Sequence, residues 1–275
     1  MAQGRDLIDR VSEAMRETCA EVIEPRFEAL ATVEVRTKEA GELVTVADVE
    51  AERLLTRRLG SLLPGAAVVG EEAWSTRPEL LLALGSERAW LIDPLDGTAN
   101  FVEGGEDWAV MVALCEHGRS VVSWIWQPAT AAMYVAEAGQ GAVRNDERLS
   151  GQGPPANPAL WRGAVLTRFL PAEIAAEIDS RRGRFAAVGP GRRCAGIDYP
   201  ALVEGELDFL LFWRTLPWDH APGVLLLEEA GGAARRPTGS TYRPTDPGSG
   251  LFATSDSSMW TLGRNALIPS AMMSR

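Results

Sequence analysis

The side chains best suited to chemistry in this 275-residue chain are carboxylates. Glu71 and Glu72 follow the apolar run Ala66-Ala67-Val68-Val69, and Asp93 and Asp96 follow Ala89-Trp90-Leu91-Ile92. Asp219 stands where the apolar stretch 207–213 gives way to a helical pattern. Short apolar runs of this kind read as buried strands. Neighbouring strands deliver their ends side by side, so acids just beyond them can converge on one crevice. Converging carboxylates repel one another, and desolvation deepens the conflict. Divalent cations remove it, and oxygen donors without Cys or His suit Mg²⁺, with Mn²⁺ able to substitute, rather than Zn²⁺. Each acidic motif alone has an ordinary explanation. A Glu pair at a strand end is usually solvated, Asp-Pro-Leu-Asp-Gly is a good turn sequence, and Trp218-Asp219 could open a helix. Only the combination points to a site.

The elements that must position these acids follow from hydrophobic spacing. Leu7, Ile8, Val11, Met15, Thr18 and Val22 predict a helix over residues 6–30, and Val49, Leu55, Leu59 and Leu62 a second over 48–63. Strands are expected at 66–69 and 89–92. A meander follows over 108–115, 120–126 and 133–138, with turns at Gly118, Pro128 and Gly139. The stretch 151–158 is rich in Gly and Pro and marks a boundary between an N-terminal α+β half (1–150), which carries the acidic motifs, and a C-terminal α/β half (160–275) that completes the site. Beyond it, strands at 164–166, 185–188 and 207–213 alternate with helices at 171–182, 197–204 and 218–230, the last ended by Gly231-Gly232. The expected class is mixed α/β in layers.

The bulk properties narrow the partners. A hydrophobic content of 46% supports a sizeable core. A net charge of −11 disfavours nucleic acid, which is bound through basic surfaces, yet an acidic protein can take an anionic substrate when metal ions mediate. Three widely spaced cysteines, Cys19, Cys115 and Cys194, do not suggest a disulfide framework. No apolar run is long enough to span a membrane, and the opening residues lack a basic-then-apolar signal pattern, so a cytoplasmic protein is expected. Trp108, Trp124 and Trp126 on strands are expected in the core, His117 in an exposed turn, and His220 either in a role that orients Asp219 or against a substrate.

Taken together the motifs are specific. The run Trp90-Leu91-Ile92-Asp93-Pro94-Leu95-Asp96-Gly97-Thr98-Ala99-Asn100-Phe101 closely resembles the signature of the inositol monophosphatase family. Gly70-Glu71-Glu72 lies at the matching distance upstream. Trp218-Asp219-His220-Ala221-Pro222-Gly223, running on to Glu229-Ala230-Gly231-Gly232, is similar to the C-terminal motif. Glu42-Leu43-Val44-Thr45-Val46-Ala47-Asp48, with Glu52 a turn later, is similar to the first motif. Four motifs in order over nearly the whole chain are a far stronger signal than any one of them.

The resemblance implies a layered αβαβα sandwich, a homodimer, and a lithium-sensitive, magnesium-dependent phosphatase with two or three ions. It implies that Glu71, Asp93 and the carbonyl of Leu95 hold a first ion, and Asp93, Asp96 and Asp219 a second. It assigns Asp48, Glu71 and Thr98 to polarising the attacking water, and Gly97 and Thr98 to the phosphate. Ala195, beside Cys194, together with Phe212 and Arg214, stands at positions that face the substrate in the family. Two departures are evident. The family's hydroxyl-binding Glu, seven residues before the C-terminal Asp, is Phe212 here, and Lys38 lies one residue out of register. The expected substrate is therefore a small phosphate monoester: an inositol-phosphate-like, sugar, polyol or amino-alcohol phosphate. The alternatives are a 3′(2′),5′-bisphosphate nucleotide met by Arg214, or a regulatory family member that binds protein or RNA.

Overall fold

The structure is a computed structural model that describes residues 2–27, 35–37, 43–246 and 248–273. The first helix, α1 (Ala2–Thr18), buries Val11 and Met15 on one side. It is shorter than the helix expected over 6–30, whose last residues lie outside the described set. The chain leaves α-helical geometry at Cys19–Ile23 and takes one tight turn at Glu24–Arg26. The Ser12 and Thr18 hydroxyls donate back to the carbonyls of Ile8 and Ala14, a bond that competes with regular helix, and Pro25 has no N–H to offer.

Strands β1 (Val35–Thr37) and β2 (Leu43–Thr45) pair antiparallel and lead into α2 (Val46–Leu62). Thr45 and Asp48 close a capping box at its start, each side chain bonded to the other's backbone N–H. The buried face of α2 carries Ala47, Ala51, Leu55 and Leu59, but also Asp48 and Glu52.

β3 (Ala67–Gly70) then pairs in parallel with β4 (Ala89–Asp96), with the short α3 (Glu71–Thr76) between them in the chain. β4 is longer than the strand expected at 89–92, because it continues past Pro94 with a register break between Asp93 and Asp96. Proline cannot donate to the ladder, so the strand bulges there. After α4 (Thr98–Val102) the meander runs antiparallel as expected through β5 (Ala109–Glu116), β6 (Arg119–Gln127) and β7 (Ala132–Glu137). Two short strands that the sequence did not announce, β8 (Gly141–Arg144) and β9 (Glu147–Leu149), complete a seven-stranded sheet.

The second sheet has the order β11-β10-β12-β14-β13. β10 (Arg162–Val165) lies parallel to β11 (Ala187–Gly189) and β12 (Phe209–Phe212), with α5 (Ala172–Asp179) and α6 (Ala195–Val203) in the connections. α7 (Pro217–Glu229) follows β12, and β13 (Ala233–Arg235) and β14 (Leu251–Thr254) add antiparallel strands before α8 (Trp260–Leu267).

Three apolar clusters define the layers. α1 and α2 cover one face of the first sheet at Trp90, Val112 and Trp124. α6 and α7 fill the space between the two sheets, where Tyr199, Trp218 and Leu226 meet Met111 and Ile125 from one and Leu210 and Ala253 from the other. α5 and α8 close the outer face of the second sheet around Trp161 and Phe252. The order helix, sheet, helix, sheet, helix is the expected αβαβα sandwich. Trp108, Trp124 and Trp126 are all core residues, and the three cysteines are free and buried. Among the described residues no helix is long and apolar enough to cross a membrane.

The middle layer is tight where α7 crosses α6. A Cβ on Gly223 would fall 2.1 Å from the Tyr199 ring. Gly223→Ala should therefore destabilise the fold by about 1–3 kcal/mol, the usual range for overpacking, measured by denaturant unfolding. Wild-type stability in that variant would show that the two helices have room to separate.

Candidate active site

Asp93 is the centre of the candidate site. It lies on β4, hydrogen-bonded between β3 and β5, and is only 2% exposed. Its Oδ1 accepts from the Leu95 N–H at 3.1 Å, across the bulge. Its pKa is raised well above the usual carboxylate range, first by burial and then by the negative charges of Glu71, Asp96 and Asp219. The structure thus brings the four acids within electrostatic reach of one another. Glu71 opens α3 and Asp219 lies in the first turn of α7, both half-buried.

Asp96 is held by the start of α6. Its Oδ2 accepts the Gly196 N–H at 2.6 Å and the Cys194 thiol at 3.1 Å. Burial pushes its pKa up to about 6, although these donors pull the other way. Ala195, the first residue of α6, is buried and stands at this contact. Gly97 has φ +85°, a left-handed conformation that favours glycine, and a Cβ there would fall 2.7 Å from the Asp107 carbonyl. A glycine is required for the chain to turn from β4 into α4.

Thr98 begins α4, with its hydroxyl 3.1 Å from Asp48 Oδ1 and 3.0 Å from the Leu95 carbonyl. Asp48 is 1% exposed, and its other oxygen accepts from the Thr45 N–H at 2.8 Å and the Thr45 hydroxyl at 2.5 Å. The structure therefore joins Asp48, Thr98 and Leu95, which are 50 residues apart at their extremes, in one network.

The residues expected to face the substrate divide. Phe212 is 3% exposed, stacked on Tyr199 at 5.3 Å and against the edge of His220 at 4.7 Å. It is presented to the middle layer of the sandwich, not to a ligand. Arg214 does not share its face on a strand, because β12 ends at Phe212. Its guanidinium lies over Phe169 at 4.2 Å. His220 ties this corner together. Its Nε2 bonds the Arg214 carbonyl, which can only accept, so Nδ1 is the acceptor for the Tyr199 hydroxyl at 3.1 Å. Burial lowers its pKa to about 3, so it is a neutral brace one residue from Asp219. His117 is exposed in its turn, as expected. Lys38 and Glu42 lie outside the described residues.

Sequence reasoning left three supports unassigned. Thr45 could have been found from the Thr-x-x-Asp capping pattern. Glu52 could have been suspected from its place one turn after Asp48 on the same helix face. Cys194 carried no signal, since nothing local places its thiol on an acid 98 residues away.

The four acids offer oxygen donors crowded with negative charge, which fits hard divalent cations. As they stand, no three or more described His, Cys, Asp or Glu side chains form a closed cage that could hold an ion. Asp93 lies within reach of the charges of Glu71, Asp96 and Asp219.

These features define a layered αβαβα protein with a cluster of acids around one buried aspartate. Residues 5–270 match the model of the inositol monophosphatase family, and the chain belongs to that family. It is similar to an inositol-1-monophosphatase of Mesorhizobium japonicum, 32% identical with 75% of this chain and 76% of that one covered. It is similar to the Nus factor SuhB of Pseudomonas aeruginosa, 31% identical over 81% of this chain and 83% of that one. A solved structure of a Thermotoga maritima IMPase superposes with a TM-score of 0.78 at 23% identity, covering 95% and 96% of the two chains. The protein is a phosphoric monoester hydrolase of a generally metal-dependent family.

The raised carboxyl pKa values set a stability trend. A carboxyl raised from 3.8 to about 6, as at Asp96, or to about 7, as at buried Asp198, binds more protons folded than unfolded, so the stability it contributes is lost as pH rises through that value. His220 opposes this weakly below about 6.5, where its unfolded form gains a proton. Chelator-treated protein should therefore melt at higher temperature at about pH 6 than at about pH 8. At the higher pH, Asp93→Asn should raise the melting temperature by removing the most crowded charge. A lower value for that variant would mean that the acids are already compensated within the protein.

Proposed function

We propose that the chain hydrolyses a small phosphate monoester at Glu71, Asp93, Asp96 and Asp219 with the help of magnesium. The observation that carries this reading is Asp93, buried among the charges of three other acids. Glu71, Asp93 and the Leu95 carbonyl would hold one ion, Asp93, Asp96 and Asp219 a second, with Asp93 shared; a third would sit near Glu71. Bound there, the ions supply a lowered pKa for the attacking water and charge neutralisation at the leaving oxygen.

The chain's own contribution is orientation and proton handling. Thr98 donates its hydroxyl hydrogen bond to Asp48 Oδ1, which leaves its oxygen lone pairs able to accept from the water. Asp48 is fixed in turn by Thr45, so the acceptor is held before substrate arrives. Glu71 assists from the start of α3. The N–H groups of Gly97 and Thr98 offer donors to the phosphate. In this reading the half formed by residues 1–150 carries most of the acids, and residues 160–275 complete the site with Asp219.

A hydroxyl-binding carboxylate is absent at Phe212, which favours a sugar, polyol or amino-alcohol phosphate over strict inositol recognition. Arg214 and Arg168 both lie against Phe169, at 4.2 and 5.1 Å. This pair of cations supports a second reading, a substrate with another anionic group such as a 3′(2′),5′-bisphosphate nucleotide. A regulatory role is supported by the similarity to the Nus factor; nucleic acid is disfavoured as a partner by the −11 charge. A cytoplasmic homodimer sensitive to lithium completes the proposal.

Activity should vanish with a strong chelator and return with Mg²⁺, read as phosphate release from a panel of monoesters. Asp93→Asn should lose more than about tenfold, or 1.4 kcal/mol of barrier; a smaller loss removes Asp93 from the shared position. Arg214→Ala should raise KM for doubly anionic substrates with little change in kcat, as lost uniform binding does. Equal effects on simple monoesters would take Arg214 out of specificity.

A further inference from the structure

Glu52 lies one turn after Asp48 on the buried face of α2 and is 6% exposed. Its two carboxylate oxygens accept from the backbone N–H groups of Glu72 at 2.6 Å and Ala73 at 2.8 Å. These are first-turn amides of α3, which have no partner within the helix. α3 has no side-chain cap of its own, since its N-cap residue is Gly70. A carboxylate from another helix does the work of the missing cap and meets the positive end of the helix. The residue between Gly70 and the first capped amide is Glu71.

Gly70 gives an independent sign of the same arrangement. Its φ of −108° and ψ of 154° are open to any residue, so the backbone does not call for glycine. A Cβ there would fall 2.3 Å from the Glu52 carboxyl carbon and 2.4 and 2.6 Å from its oxygens. A side chain at position 70 fits only if the carboxylate moves, and moving it breaks the bonds to Glu72 and Ala73. Glycine at 70 and glutamate at 52 make one device, in which the space left by one is filled by the other.

We propose that Glu52 is a positioning residue for metal binding: it fixes the first turn of α3 so that Glu71 faces Asp93, and Gly70 admits it. The inference rests on the reading of Glu71 and Asp93 as metal ligands. It makes α2 the common ruler of the site. One helix face sets both Asp48, the acceptor for Thr98, and the backbone that bears Glu71.

Mg²⁺ titrations of the full chain, followed by calorimetry and by the Mg²⁺-dependent rise in melting temperature, test the proposal. Glu52→Gln keeps the volume but turns an acceptor into a donor aimed at an N–H. It should weaken Mg²⁺ binding about 10- to 100-fold, the range for lost support behind a ligand. At saturating Mg²⁺, kcat should fall by a smaller factor than the Mg²⁺ affinity does, because the bound ion itself helps to hold Glu71 in place. Gly70→Ala should reproduce this loss alone but add little to Glu52→Ala, where the space is already vacated. Wild-type Mg²⁺ affinity in Glu52→Gln, with only a lower metal-free melting temperature, would reduce Glu52 to a helix cap and overturn the proposal. Additive losses in the double variant would overturn the shared-space argument. A wild-type protein that binds no Mg²⁺ would overturn the metal reading, and this one with it.

Discussion

Like charges gathered at one buried strand end are the constraint around which this molecule is arranged. Asp93 is buried on a central strand of the first sheet, and Glu71, Asp96 and Asp219 approach it from α3, from the bulged end of its own strand and from α7. Each of those elements sits in a different part of the sandwich: α3 beside the first sheet, the bulged end of β4, and α7 in the middle layer. Packing must therefore hold together charges that repel. The cost falls on the fold, and it is relieved when protons or cations neutralise the acids.

The supports follow from that conflict. Asp48 is pinned by the capping box of α2, Asp96 by an amide and a thiol at the start of α6, and the first turn of α7 by a neutral histidine between Tyr199 and the Arg214 carbonyl. None of these partners is a cation. The arginines that form ion pairs, such as Arg58 with Glu21 and Arg192 with Glu206, do so on the outer faces.

Much of this was legible in the sequence, and the reasons differ by element. The meander, the two helices of the middle layer and the acids at strand ends were readable because apolar runs end abruptly at Asp or Glu. β8, β9, β13 and β14 were not, since strands of three or four residues gain their register from neighbours and not from local pattern. The length of β4 was hidden by Pro94, which locally argues against a strand and is tolerated here at a bulge. Phe212 was misplaced for a related reason: the end of β12 turns its ring into Tyr199 and His220, contacts that reach residues 13 and 8 positions away in the chain. The acids were visible one by one, but their supports were not, because a hydrogen bond from Cys194 to Asp96 exists only in three dimensions.

The central claim is that metal ions take over the charge conflict at Asp93. If so, the metal-free site must hold protons near neutral pH that bound ions displace, because Asp93 is raised and Asp96 lies at about 6. The direct measurement is calorimetric titration with Mg²⁺ at about pH 6.5 in buffers of different ionisation enthalpy, which counts protons released per protein. The account predicts net proton release, larger at about pH 6 than at about pH 8. Mg²⁺ binding with no proton release at either pH, or release unchanged in Asp93→Asn, would contradict it.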